Sequence, residues 1–234
     1  ALFHRLNDFQ KAEESYKKAL NLDPTNEDIK HLLSALMGVT TKTAPRVYIE
    51  NLFNNYAVKF EKSLIDQLEY VAPKLVAESI LNDNKERFLG SVLDLGCGTG
   101  LLGEELYKFC DNLEGVDLSR VMLEEAAKKN IYNKLTQAEI VDYLNSKDLN
   151  FDYFIFTDVF IYIGDLNNIF HLIKNKNKKS GKLAFTIENT SKKDYFLEKT
   201  GRYSHSNEYI EFLCKSYNYS LLYYEKIKLR KEND

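Results

Sequence analysis

The chain has 234 residues, 44% hydrophobic and 29% charged, enough for one full-sized core and an appendage. Its formal net charge of −3 argues against a protein built to coat nucleic acid, and no apolar run reaches the roughly 18 residues of a membrane span. The first residues show no signal-peptide pattern, and three cysteines (Cys97, Cys110, Cys214) without a CxxC pair suit a reducing compartment and no structural metal, so a cytoplasmic protein is expected.

Taken in chain order, Ala12, Tyr16, Ala19 and Leu20 fall on one helical face, and Pro24 ends that helix and opens the next unit. The small alanines admit a close helix neighbour while Phe3, Phe9 and Tyr16 fill between. This pattern resembles part of a tetratricopeptide repeat, entered part-way through its first helix, and the expectation is a fragment of a longer array. A second helix follows, with Thr25 and Asp28 spaced as a capping box, Ile29, Leu32, Leu33 and Leu36 along one side, and Gly38 as its stop. Residues 1–38 therefore read as a partial repeat with a capping helix, and polar, proline-ended residues 39–46 as a linker. Residues 47–90 read as a helical cap with helices near Tyr48–Asn54 and Ala57–Tyr70 and another opening at Pro73. Within it, Tyr56 and Phe60 are open to two readings, core packing or a cover over a ligand of the sheet that follows.

From 91 to 234 strand and helix alternate, which predicts an α/β fold with a doubly wound, mostly parallel sheet. The first strand, Val92–Leu95, carries Asp94 near its end and runs into Gly96-Cys97-Gly98-Thr99-Gly100. Glycine at alternate positions accepts φ > 0 and lets a ligand approach the backbone. No lysine follows, as a phosphate loop requires, and the third glycine comes one residue too early for a diphosphate fingerprint. Cys97 reads as a small filler rather than a nucleophile.

The second strand, Leu113–Val116, ends at Asp117, 23 residues after Asp94 and close to the roughly 20 expected for an acid that grips ribose hydroxyls. Ser119 caps the next helix, and Met122 is expected to face the same pocket. The third strand, Lys134–Ala138, leads to Glu139 and Ile140; Glu139, in preference to Asp142, is placed to receive an exocyclic amine, with Ile140 on the ring. The fourth, Phe151–Thr157, is apolar throughout, as a parallel strand buried on both faces requires, and opens into Asp158.

Asp165 caps a helix bearing Leu166, Ile169, Phe170 and Ile173. The five lysines between Lys174 and Lys182 read as a solvated helix end and turn rather than a nucleic-acid footprint. A fifth strand is predicted at Gly181–Ile187, a polar loop at Gly201–Ser206, a helix capped by Ser206, and a sixth strand at Ser220–Leu229.

The runs LDLGCGTG, GVDLS and QAEI resemble the first three motifs of class I S-adenosylmethionine-dependent methyltransferases, a Rossmann-like family. More narrowly, LFNNYAVKF, TDVFIYIGDL and TGRYSHSNEYI, with the repeat ahead of them, resemble a bacterial group of methyltransferases carrying N-terminal tetratricopeptide repeats. The resemblance implies S-adenosylmethionine as cofactor and S-adenosylhomocysteine as product. It places Asp94, Gly96, Cys97 and Gly98 at the methionine part, Asp117 at the ribose, Leu118 and Met122 at the adenine face, and Glu139 with Ile140 at its edge. It also places Thr157 and Asp158 at the sulfonium end, with Tyr56 closing over it. The family's sheet has seven strands, so the last strand is expected to be missing.

Methyl transfer asks mainly for alignment, and a general base where the acceptor carries a proton; His205, Asp158 and Tyr162 are candidates by type. Arg202 beside His205 reads as a binder of an acidic substrate group or as a brace for its loop. No Asn/Asp-Pro-Pro-aromatic run follows the fourth strand and no Pro-Cys nucleophile is present, which argues against nucleic-acid bases as acceptors. Three functions stand: a small-molecule methyltransferase, first; a protein methyltransferase that docks a polypeptide through its repeats; and a repeat scaffold without catalysis.

Overall fold

The computed structural model describes residues 2–61, 70–84 and 86–227, without the side chains of residues 55–61. Five strands form one parallel sheet: β1 (Ser91–Leu95), β2 (Asn112–Asp117), β3 (Lys134–Gln137), β4 (Tyr153–Phe156) and β5 (Lys182–Phe185), in the order β3-β2-β1-β4-β5. The order reverses between β1 and β4, which leaves a crevice at their carboxyl ends where an open α/β sheet binds ligands.

Alternation of side chains fills both faces. Val92, Tyr153 and Ile155 pack on one side against Val76, Ile80 and Leu81 of α5 (Ala72–Asp83) and Leu102 and Leu106 of α6 (Leu101–Leu106). Leu93, Leu95, Phe154 and Phe156 pack on the other against α8 (Ile140–Ser146), α9 (Asn167–Lys176) and α10 (Asn207–Ser216). All four residues of β4 are buried, as its apolar run predicts. The remaining crossover helix, α7 (Arg120–Lys128), is capped by Ser119, whose hydroxyl accepts from Met122 N at 3.2 Å.

The N-terminal residues form α1 (Leu2–Arg5), α2 (Phe9–Leu22) and α3 (Glu27–Leu36). Asn26, not Thr25, caps α3: its side chain accepts from Ile29 N at 3.1 Å, while Thr25 bonds back to Asp23. Helix α4 (Arg46–Glu61) is continuous through the break predicted near residue 55; Tyr56 and Phe60 lie on it, and their side chains, like Leu64 and Leu68, lie outside the described residues.

Two further differences matter for the site. The predicted polar loop is part of a second sheet, ordered β6-β8-β7, in which β8 (Tyr203–His205) pairs parallel with β6 (Glu188–Asn189) and antiparallel with β7 (Tyr195–Leu197). The polar letters of β8 are inward: Tyr203, Ser204 and His205 are all buried. Residues 39–46 do not hang between units. Ala44 N donates to Tyr162 O, and Gly164 N and Asp165 N donate to Lys42 O, which laces this stretch to the segment after β4.

The predicted sixth strand is also absent among the described residues, since 220–227 form no ladder. They line a 930 Å3 cavity together with residues of β5 and α5. Among the described residues, no helix is long and apolar enough to cross a membrane.

Candidate functional site

The glycine turn is built as its spacing predicts. Gly96, Gly98 and Gly100 have φ of 77°, 53° and 88°, and a Cβ at Gly96 would stand 2.3 Å from Val159 Cγ2. The backbone N–H groups of Gly96 and Cys97 both donate to Val116 O, pinning the turn over the end of β2. There Asp117 acts as a clamp: Oδ2 accepts from Gly98 N and Oδ1 from Ser119 N, each at 2.8 Å. Burial raises its carboxyl above the ordinary range, and these backbone donors pull it back.

Asp94, 1% exposed, is pushed up to about 7 by burial, against the pull of the Tyr132 hydroxyl, which donates to Oδ2 at 2.7 Å; the Asp117 charge adds to the rise. Tyr132 had no motif to announce it. Its ring is seated where three glycines leave room, Gly100, Gly103 and Gly115, each with a would-be Cβ within about 3 Å of it. Glu139 caps α8 by accepting from Asp142 N at 2.9 Å, which turns its backbone out of β3 at the sheet edge.

These strand ends meet in one cavity of 440 Å3. Asp94, Gly96, Cys97, Gly98, Asp117, Leu118, Glu139, Ile140, Thr157 and Asp158 all line it, together with Tyr162 and Arg202 among the predicted substrate residues. Two predicted residues are elsewhere. Met122 is buried at 1% exposure in the core and does not line the cavity, because the cap at Ser119 turns its helix inward. His205 is also outside it, fully buried against Tyr195 and Tyr209. Its Nε2–H donates to the carbonyls of Ile163 and Gly164, each at 3.0 Å, and desolvation lowers its pKa to about 4. His205 therefore holds the segment next to Tyr162 rather than facing a substrate.

The opposite wall comes from residues that the sequence assigned to a linker and a cap: Thr43, Ala44, and Arg46, Ile49, Leu52 and Phe53 of α4. Ser119 Oγ donates to Asn54 Oδ1 at 2.7 Å and ties α4 to the end of β2. The five lysines of 174–182 stand away from the cavity, each with a partner: Lys178 with Asp148, Lys179 with Asp152, Lys182 with Asp83, and Lys174 and Lys176 on backbone carbonyls.

The lining suits a nucleoside joined to a cationic chain. Acids at successive strand ends accept hydroxyl and amine protons, Leu118 and Ile140 offer apolar faces, and two buried hydroxyls behind the wall, Thr99 Oγ1 and Thr157 Oγ1, have no partner among the described residues.

Residues 89–224 match the family described as "Methyltransferase domain". An uncharacterized methyltransferase of Schizosaccharomyces pombe is 24% identical over 157 residues, 58% of this chain and 55% of that one. A ubiquinone biosynthesis O-methyltransferase of Hydrogenovibrio crunogenus is 27% identical over 113 residues, 46% of each. The chain spans about half the length of these two curated relatives. Magnesium protoporphyrin IX methyltransferase from Synechocystis PCC 6803, solved with bound SAH, shares the fold at a TM-score of 0.58 and 17% identity, over 75% of this chain and 89% of that one. With more than half of its length matched and the parallel sheet in place, the chain belongs to the methyltransferase domain family, of the class I S-adenosylmethionine-dependent kind.

Proposed function

We propose that the chain is an S-adenosylmethionine-dependent methyltransferase acting on a small molecule. The observation that carries this reading is the convergence of Asp94, Asp117 and Glu139, from three adjacent strand ends, on one cavity with the glycine turn. Asp94, Thr99 and the turn Gly96-Cys97-Gly98 take the methionine part, Asp117 the ribose hydroxyls, Leu118 the adenine face, and Glu139 with Ile140 its edge. Thr157 and Asp158 take the sulfonium end, and the closing role over it is assigned to Tyr56 from the sequence resemblance alone. When bound, the cofactor supplies a methyl group already activated by positive sulfur. The chain's own residues align an acceptor with that methyl and exclude water, and of the three candidates for a general base Asp158 and Tyr162 are the two that line the cavity.

Small molecules as acceptors are supported by the similarity to a ubiquinone biosynthesis O-methyltransferase and by the fold shared with a magnesium protoporphyrin IX methyltransferase. Residues 1–38 fit a partial tetratricopeptide repeat with its capping helix, 39–46 a connection that docks on the segment after β4, 47–90 a helical cap and 91–234 the cofactor-binding domain. Burial of Ala12 and Tyr16 on one face of α2 is in keeping with the repeat, while the assignment to the bacterial group rests on the resemblance of the sequence runs alone. A protein acceptor docked through such repeats is the second reading, favoured by exposed Leu2 on α1, Leu6 in the turn after it and Leu22 at the end of α2.

Calorimetry with S-adenosylhomocysteine tests the site. Asp117→Ala is expected to weaken binding by about 1.5–3 kcal/mol, roughly 10- to 150-fold, from lost hydrogen bonds to a charged group. Unchanged affinity in a folded variant removes Asp117 from the site. Methyl radiolabel entering protein rather than small molecules in an extract of the source cell favours the second reading.

A further inference from the structure

We propose that the acceptor is a monocarboxylate with an apolar or aromatic body, held by Arg202. This rests on the reading of the cavity as a methyltransferase site and names what its second half takes.

The two ends of the cavity differ in sign. Asp94, Asp117, Glu139 and Asp158 come from the strand ends, whereas both cations in the lining, Arg46 and Arg202, come with the wall built by α4 and the start of β8. Arg46 is already engaged, its Nε 3.0 Å from Glu50 Oε1. Arg202 is half-buried, and its guanidinium, with the Tyr48 hydroxyl in its field, takes no hydrogen bond or ion pair among the described residues. A planar fork of donors with no acceptor of its own is suited to bind a carboxylate through two parallel bonds.

Its placement is enforced from far away in the chain. Gly201 holds φ of 82°, and its carbonyl accepts from His31 Nε2 of α3 at 2.9 Å. A would-be Cβ at Gly201 meets Leu32 and Tyr48 at 3.0 and 3.2 Å. Tyr203, the next residue along, is fully buried and bonded to the Thr41 hydroxyl. The arginine thus stands between two fixed residues rather than on a free loop.

Beside it the wall is apolar: Phe53 and Tyr162 meet edge to face with centroids 5.4 Å apart, and Ile49 and Leu52 continue the surface. That surface takes the body of the acceptor. Four carboxylates in the same cavity oppose a dianion such as a phosphate monoester, so a single negative charge is favoured.

The test uses the whole chain saturated with S-adenosylhomocysteine and titrated, by calorimetry or ligand-observed NMR, with benzoate and octanoate, each against its own amide. The acids are expected to bind about tenfold or more tightly than the amides, as befits a charge-assisted pair. Arg202→Gln is expected to erase that difference, Arg202→Lys to keep part of it, and both to leave S-adenosylhomocysteine affinity within about twofold. Acid and amide binding equally, or neither binding, overturns the inference alone. So does a loss of S-adenosylhomocysteine affinity of about tenfold in Arg202→Gln, which assigns the arginine to the cofactor. Failure of the parent chain to bind S-adenosylhomocysteine overturns the reading of the site and this inference with it.

Discussion

Asp94→Asn is expected to stabilise the ligand-free protein at alkaline pH while removing its cofactor binding. The carboxyl is 1% exposed and titrates at about 7 instead of 3.8, so between those values the folded chain holds a proton that the unfolded chain has released. Stability contributed by a group raised in this way is fully present below 3.8 and is lost as pH rises through 7. From pH 5 to pH 8 two units of that window are crossed, which at 1.36 kcal/mol per unit amounts to about 3 kcal/mol. Asparagine does not titrate, and its Oδ1 still accepts from the Tyr132 hydroxyl now 2.7 Å from Asp94. The stability of Asp94→Asn minus that of the parent should therefore climb by about 3 kcal/mol between pH 5 and pH 8. Urea unfolding of the pair at both pH values measures it, and contributions shared by the two proteins cancel in the difference. At pH 8 the variant should also bind S-adenosylhomocysteine at least about tenfold more weakly, having no charge for the ammonium. A stability difference that stays flat with pH would refute the buried, perturbed carboxylate and with it the electrostatic account of this end of the cavity.

The glycines of the turn are expected to separate. Gly96→Ala combines a left-handed φ with a Cβ 2.3 Å from Val159 and should cost about 2–5 kcal/mol in unfolding free energy, part of it recovered by adding Val159→Ala. Gly98→Ala meets nothing within 4 Å and should cost only about 1–2 kcal/mol, measured in the same urea titration. His205 titrates at about 4 when folded against 6.5 unfolded, so the stability it contributes is present above 6.5 and lost as pH falls toward 4. His205→Gln, whose amide can donate to the same carbonyls of Ile163 and Gly164, should lose about 3 kcal/mol less than the parent between pH 7 and pH 4.5.

Much of the parallel sheet and one side of the cavity were legible in the sequence because they rest on short-range chemistry. A strand buried on both faces must be a run such as Tyr153-Phe154-Ile155-Phe156, and three alternate glycines announce a backbone that turns through positive φ, as Gly96, Gly98 and Gly100 do. Asp117 and Glu139 follow from the same logic, since the ends of adjacent parallel strands share one crevice.

What only the tertiary structure decided is the other side. His205 and Ser204 look like loop polar groups until β6 and β7 close around them, and a histidine becomes structural when its donors are spent on carbonyls 41 and 42 residues away. Tyr132 gained its part through Asp94, 38 residues distant, and Met122 lost its part to the inward turn of α7. Residues 39–46 read as a tether but form cavity wall, because Thr41 and Ala44 find partners at Tyr203 and Tyr162. In each case the residue's own propensity is satisfied by several environments, and desolvation by partners far along the chain selects one.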